Sequence, residues 1–295
     1  MSSGTAKKKQ PIETAPPGTL GTFERARQYV VSSYKGRLNR GAFRNVQTYC
    51  TFIGYPRSGH SIYGSLLDAH PEIIIAHELD ALKFVDAGFG RDQLFSLLLD
   101  HSRYFKSLGS VSSGYSYKVP NQFQGEFTTL RVIGDKKGAG TIKRLNDQPE
   151  LLDRLRRTIG VPVRFVHVAR NPYDNVSTIF TRKQKFEAPP TLAECVDYYF
   201  FLVKTVADVM ARVPDEDMLD VRHEDLIADP HAALTRGCRF LGVEPTEQYL
   251  GDCASILYES PNKSRHKVDW TREQIDDVAR RIDQFPFLEG YTFES

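Results

Sequence analysis

Five short runs rich in apolar and β-branched residues, at 49–53, 72–76, 129–134, 163–168 and 218–221, have the length and make-up of strands. The run Ile73-Ile74-Ile75-Ala76 has no polar interruption and reads as a strand buried on both faces, as parallel strands are. Longer stretches with helical signals lie between the runs. Residues 60–71 open at His60-Ser61 and close near Ala69-His70-Pro71. Residues 79–109 alternate helical stretches with polar breaks, and Leu94, Phe95, Leu97, Leu98 and Leu99 mark a strongly apolar helix. Asn171 and Pro172 fit the cap and first turn of another helix. Residues 191–212 read as a long helix, and 230–241 as a helix stopped by Gly242. A C-terminal helix and Phe285-Pro286-Phe287-Leu288 should close the core. Strands alternating with helices, without an internal repeat, predict one α/β domain with a central parallel sheet flanked by helices.

Composition narrows the partners. The chain has 295 residues, 40% hydrophobic and 26% charged, which is ordinary for a globular protein. A net charge of +2 gives no reason to expect nucleic acid. The four cysteines form no C-x-x-C pair, so neither a zinc site nor a disulfide framework is expected, and no metal. No apolar run reaches membrane-span length, so no integral membrane segment is expected. Residues 1–21, with Lys7-Lys8-Lys9, Pro11, Pro16 and Pro17, read as a disordered tail of a cytoplasmic protein, leaving 22–295 as the domain. Residues 22–46 carry Arg25, Arg27, Lys35, Arg37, Arg40 and Arg44 against Glu24. That excess of base reads as a solvated helix face, with an acidic partner or a lipid surface as the alternative.

The chemistry gathers around the stretch from Cys50 to Glu78. The run 49–53 ends in Gly54, the loop Tyr55-Pro56-Arg57-Ser58-Gly59 follows, and His60-Ser61 open a helix. Strand, glycine-bracketed loop and helix start together aim backbone N–H groups at an anion. Residues 54–61 fit the phosphate-loop pattern G-x-x-x-x-G-K-S except that His60 replaces the lysine. Arg57 puts a guanidinium into the loop instead, so the expected ligand is a phosphate but not a triphosphate. His77 and Glu78 end the second strand, where open α/β sheets collect their chemistry. Lys136 follows the strand 129–134. Arg170 ends the strand 163–168, with Ser177 and Thr178 on the next helix, which outlines a second anion site. Tyr104, Phe105, Tyr115, Tyr117, Phe123 and Phe127 are expected in the core, with an acceptor wall as the alternative.

These motifs resemble those of sulfotransferases that use 3′-phosphoadenosine 5′-phosphosulfate (PAPS). Tyr55-Pro56-Arg57-Ser58-Gly59-His60-Ser61 is similar to their P-[KR]-S-G-T-T loop, and Leu67-Asp68-Ala69-His70-Pro71 to the L-D-A-H-P of the bacterial and tyrosylprotein-sulfotransferase-like branch. Arg170-Asn171-Pro172-Tyr173-Asp174 with Thr178 resembles the segment holding the 3′-phosphate. Asp135-Lys136 resembles a G-D-K element whose lysine stabilises the leaving group. Arg222-His223-Glu224-Asp225-Leu226 is similar to V-R-Y-E-D-L, with His223 in place of an adenine-contacting tyrosine. The late basic loop Asn262-Lys263-Ser264-Arg265-His266-Lys267 matches one that folds over the nucleotide. The resemblance implies a P-loop-nucleotide-hydrolase-like sulfotransferase fold and sulfuryl transfer from PAPS to a hydroxyl or amine. It implies Glu78 as base with His77 in reserve, and Arg57 and Lys136 on the leaving group. Arg57, Ser58, Gly59, His60, Ser61, Arg170, Ser177, Thr178, His223 and Arg265 would bind the donor. The acceptor, a small molecule, carbohydrate or lipid, is not fixed. A kinase with a degenerate loop and an inactive nucleotide-binding protein are the rival readings.

Overall fold

In chain order the strands are β1 (Thr48–Ile53), β2 (Ile73–His77), β3 (Val111–Ser112), β4 (Tyr115–Ser116), β5 (Val132–Gly138), β6 (Val163–Ala169) and β7 (Met218–Arg222). Five of them make one sheet in the order β2-β5-β1-β6-β7, with every neighbouring pair parallel. β3 and β4 form a two-residue antiparallel hairpin apart from it. The computed structural model describes residues 18, 20–112 and 114–295; of the expected tail, residues 1–17 and 19 lie outside the described residues.

β1 is central and wholly buried because both faces of the sheet are covered. Its alternate residues feed two cores: Tyr49 and Ile53 join the cluster on one face, Cys50 and Phe52 the cluster on the other. That explains a strand with no outward polar face, in which even Thr48 and Thr51 are buried. Gly134 in β5 is required by packing, since a Cβ there would sit 2.1 Å from the Cys50 carbonyl oxygen. The four cysteines are free and buried, as small hydrophobes are.

The register brings the strand ends level. His77 lies beside Lys136, Ile53 beside both Gly138 and His167, and Ala169 beside Arg222. The loop after β1, the His77-Glu78 corner, Lys136 and Arg170 therefore share the carboxyl edge of the sheet, where the strand order reverses around β1.

Two boundaries differ from expectation. The strand expected at 129–134 runs from Val132 to Gly138, so Lys136 lies within it rather than past its end. The stretch 22–46 is two helices, Thr22–Leu38 and Arg40–Phe43. Among the described residues no helix is long and apolar enough to cross a membrane.

Candidate active site

The loop after β1 is held open by its glycines. Gly54 and Gly59 have φ of 147° and 98°, which side chains rarely tolerate. A Cβ on Gly59 would also lie 2.4 Å from His223 Nδ1, so the bare backbone admits the imidazole. Arg57 itself has φ of 70°, a strained conformation for a residue with a Cβ. Asn175 brackets it: with its amide oriented to satisfy both contacts, its nitrogen donates to the Pro56 carbonyl (2.8 Å) and its oxygen accepts from Ser58 N–H (3.3 Å). The helix His60–Asp68 begins at once, and the amides of its first turn have no acceptor within the helix.

His60 occupies the place of the phosphate-loop lysine but supplies no charge. Burial first, and Lys136 second, lower its pKa to about 3, so it is neutral and shares a 3.0 Å hydrogen bond with Ser58 Oγ through Nδ1. The cation comes from the sheet instead. Lys136 is 1% exposed, and its Nζ donates to Ser61 Oγ (2.9 Å) and Glu78 Oε1 (2.9 Å), with His77 Nε2 at 3.5 Å. Its stem fits because residue 64 of the overlying helix is glycine; a Cβ there would meet Lys136 Cγ at 3.0 Å.

Glu78 is aimed at Lys136 by a tight corner. Its φ is 69°, its N–H donates to the Lys136 carbonyl (3.0 Å), and the buried Asp135 accepts from Leu79 N–H (3.0 Å) and Ala81 N–H (2.7 Å). Asp80 pins the corner from behind through a buried ion pair with Arg144 at 2.7 Å. Burial pushes the Glu78 carboxyl up, but the charge and hydrogen bond of Lys136 outweigh it, and its pKa ends below the ordinary value. His77 is pushed down, by burial and then by Lys136, and is neutral; its ring stacks on Phe105 with centroids 4.1 Å apart.

A second cationic group lies across the cleft. Arg170 is buried, and its Nη1 donates to the Arg57 carbonyl (3.3 Å) and Thr178 Oγ1 (3.4 Å). Its Nη2 donates to the Asn262 carbonyl (2.6 Å) and Ser264 Oγ (3.4 Å). The cleft holds about 1060 Å³ including its open mouth. Arg57, Arg170 and Arg182 line it on the polar side, and Ile227, Ile256, Leu257 and Tyr258 on the apolar side. Burial first, and Arg182 second, lower the pKa of Arg57. Guanidinium groups gathered in a partly apolar cleft suit a ligand with several anionic oxygens.

The family profile described as "Sulfotransferase family" matches residues 152–248. In structure, the chain is similar to the sulfotransferase domain of the Synechococcus PCC 7002 olefin synthase, at 17% identity and a TM-score of 0.51, covering 81% of this chain and 94% of that one. The sulfotransferase domain of the curacin biosynthetic pathway aligns equally well, at 16% identity over 81% of this chain and 98% of that one. The sequence match to a sulfotransferase family thus covers about a third of the chain, and the structural likeness covers the fold. The single α/β domain with its five-stranded parallel sheet has the P-loop-like sulfotransferase fold. Mouse sulfotransferase SULT7A1 complexed with PAP aligns at 13% identity over 83% of this chain and 87% of that one, with a TM-score of 0.42. No curated protein matches the sequence.

Within this sulfotransferase fold, Arg57, Gly59, His60, Ser61, Arg170, Thr178 and His223 line the cleft. Glu78, His77 and Lys136 form a cluster that meets it through Ser61. Three expected donor-binding side chains point elsewhere. Arg265 is buried against Asp174, with Nη1 at 2.6 Å from the carboxylate, and also donates to the Ser295 carbonyl. Its loop reaches the cleft through Asn262 and Ser264 instead. Ser177 is wholly buried and accepts from Trp270 Nε1 at 3.0 Å, because one helix residue before Thr178 faces a different way. Ser58 is spent on His60. Of the aromatic segment expected in the core, Tyr115 and Tyr117 line the cleft and Tyr104 is exposed. Sequence reasoning missed Arg182, one helical turn past Thr178 on the same face, a spacing that could have revealed it.

Removing Arg265 leaves Asp174 buried and uncompensated, so Arg265→Ala is expected to cost about 3 kcal/mol or more of stability. Urea unfolding checks this; an unchanged midpoint would place Arg265 outside the structural ion pair.

Proposed function

We propose that the protein transfers a sulfuryl group from PAPS to a hydroxyl or amine of an acceptor. The observation that carries the reading is that Arg57 and Arg170 line one cleft, with Arg170 Nη1 only 3.3 Å from the Arg57 carbonyl. One ligand can therefore meet both, and a doubly phosphorylated adenosine has an anionic group for each. The loop amides, Arg57 and Ser61 would take the 5′ end. Arg170, Thr178 and Ser264 would take the 3′-phosphate, exchanging the carbonyls they now contact for charged oxygens, which bind guanidinium more strongly. His223 and the apolar side would receive the adenine.

Chemistry would run at the Lys136 cluster. The acceptor oxygen or nitrogen attacks the sulfur in line as the bond from sulfur to the bridging phosphate oxygen breaks. Glu78 takes the acceptor's proton. Lys136, next to Ser61 at the helix start, and Arg57 stabilise the charge left on the departing phosphate. Glu78, kept ionised by Lys136, can accept that proton at neutral pH, and the pull of the departing phosphate on Lys136 would free and strengthen it as a base. Tyr117 and Phe105, beside His77, would form the acceptor's wall. A small molecule, carbohydrate or lipid alcohol fits this description.

By isothermal titration, adenosine 3′,5′-bisphosphate is expected to bind more tightly than magnesium-ATP. Tighter ATP binding would favour a kinase. Arg170→Ala is expected to weaken the bisphosphate about fiftyfold or more, since charge-assisted hydrogen bonds are lost; unchanged affinity would refute the 3′-phosphate assignment.

Glu78→Gln is expected to lower kcat about a hundredfold or more while leaving bisphosphate affinity nearly unchanged. Mass spectrometry of an acceptor panel incubated with PAPS supplies the assay. Retained turnover in Glu78→Gln with loss in His77→Ala would move the base to His77, and no turnover with intact bisphosphate binding would mark an inactive nucleotide-binding protein.

A further inference from the structure

The first helix, Thr22–Leu38, is built inside out. Its apolar residues face solvent: Phe23 is 83% exposed, Val30 69%, Tyr34 66% and Leu38 66%, with Val31 beside them. Spacings of seven, four and four place Phe23, Val30, Tyr34 and Leu38 in one stripe. The face turned to the protein is mostly polar and small, with one apolar contact where the Tyr29 ring meets Phe89 edge-on at 5.2 Å. Ser32 and Gly36 are its buried residues, and Gly36 lies so close to the helix Arg91–Ser107 that a Cβ would sit 2.8 Å from the Asp92 carbonyl oxygen. Lys35 Nζ meets Asp100 at 2.7 Å, and Gln93 Nε2 donates to Ser33 Oγ (2.8 Å) and the Tyr29 carbonyl (3.1 Å). The helix is thus docked by hydrogen bonds, an ion pair and close backbone approach, while its hydrophobic side is left outward.

Charge selects the occupant. Arg27 and Arg37 lie on or beside the stripe, and exposed Arg40 and Arg44 continue past its end. Glu24, already bridged to Arg27 at 3.0 Å, is the one acidic residue of the stretch 22–46. A second copy of this helix would set arginine against arginine. The chain's own residues 1–21 bring Lys7, Lys8 and Lys9 and are a poor match for the same reason. An anionic, planar surface with an apolar interior satisfies both features: the arginines reach headgroup phosphates and the stripe enters the acyl boundary. We propose that this face docks the protein on an anionic lipid bilayer, with the helix lying in the plane of the interface.

Co-sedimentation of the full chain with vesicles tests this. Binding is expected to phosphatidylcholine vesicles containing phosphatidylserine and not to phosphatidylcholine alone, and to weaken as salt is raised. The triple variant Val30→Ser, Tyr34→Ser, Leu38→Ser alters only exposed side chains; it should melt like the parent and lose at least about tenfold in vesicle affinity. Arg37→Gln and Arg44→Gln should each reduce affinity about fivefold. The proposal is overturned if the parent stays in the supernatant with anionic vesicles, or if the triple variant binds as well as the parent. It is equally overturned if light scattering shows a dimer that the triple variant splits, which would give the face to a second copy.

Discussion

A buried ammonium at the carboxyl edge of the sheet organises this molecule. Lys136 is removed from water by the helix His60–Asp68 above it, and a charge in that position is tolerable only with partners in place. Those partners are Ser61, at the start of the phosphate-loop helix, and Glu78, at the end of the neighbouring strand. One cation therefore ties the anion loop to the candidate base. The demand reaches outward: Gly64 leaves room for the lysine stem that a Cβ would crowd, and Glu78 holds a left-handed backbone that Asp135, Asp80 and Arg144 brace. The same lysine resolves the oddity of the loop. Where a phosphate loop has its own lysine this chain has a neutral histidine, and the missing charge arrives from β5.

The other half of the cleft rests on a comparable arrangement. Arg170 is buried and held by carbonyl and hydroxyl oxygens from three segments: the loop after β1, the helix Pro172–Lys183 and residues 262–264. Asp174 and Arg265 pair behind it, and this ion pair fixes the last segment against the helix. The hydrogen-bond partners of Arg170 are neutral oxygens, and Asp174 and Glu224 act on it without a hydrogen bond, so its donors stay open to an anion. In this cleft the carboxylate goes to Arg265 and the neutral partners go to Arg170. The candidate binding cation is thereby distinguished from the structural one.

Much of this was legible in the chain. Buried parallel strands need apolar residues on both faces, so the five runs announced the sheet, and the glycines of 54–59 announced a turn that only such residues allow. Arg170 and Glu78 could be singled out because each directly follows a strand, and strand ends of a parallel sheet share one edge; Arg57 was marked by the glycine-bracketed loop after β1. Strand β5 was misread at its end because Asp135 and Lys136 look like loop residues; they are strand residues whose polar groups are buried and satisfied by the corner at 78–81 and by Ser61.

What the sequence determined by itself was the kind of element and the set of charged groups at the sheet edge, since both follow from local periodicity and from where a strand can end. Partnership was decided only in three dimensions. Whether an arginine is a ligand-binding cation or half of a buried pair depends on which carboxylate lies within hydrogen-bond reach, and that carboxylate is set by packing between segments about ninety residues apart, as for Asp174 and Arg265. The outward apolar stripe of the first helix was likewise invisible to a reading that counts charges, because the side a helix turns inward is chosen by the surface it packs against.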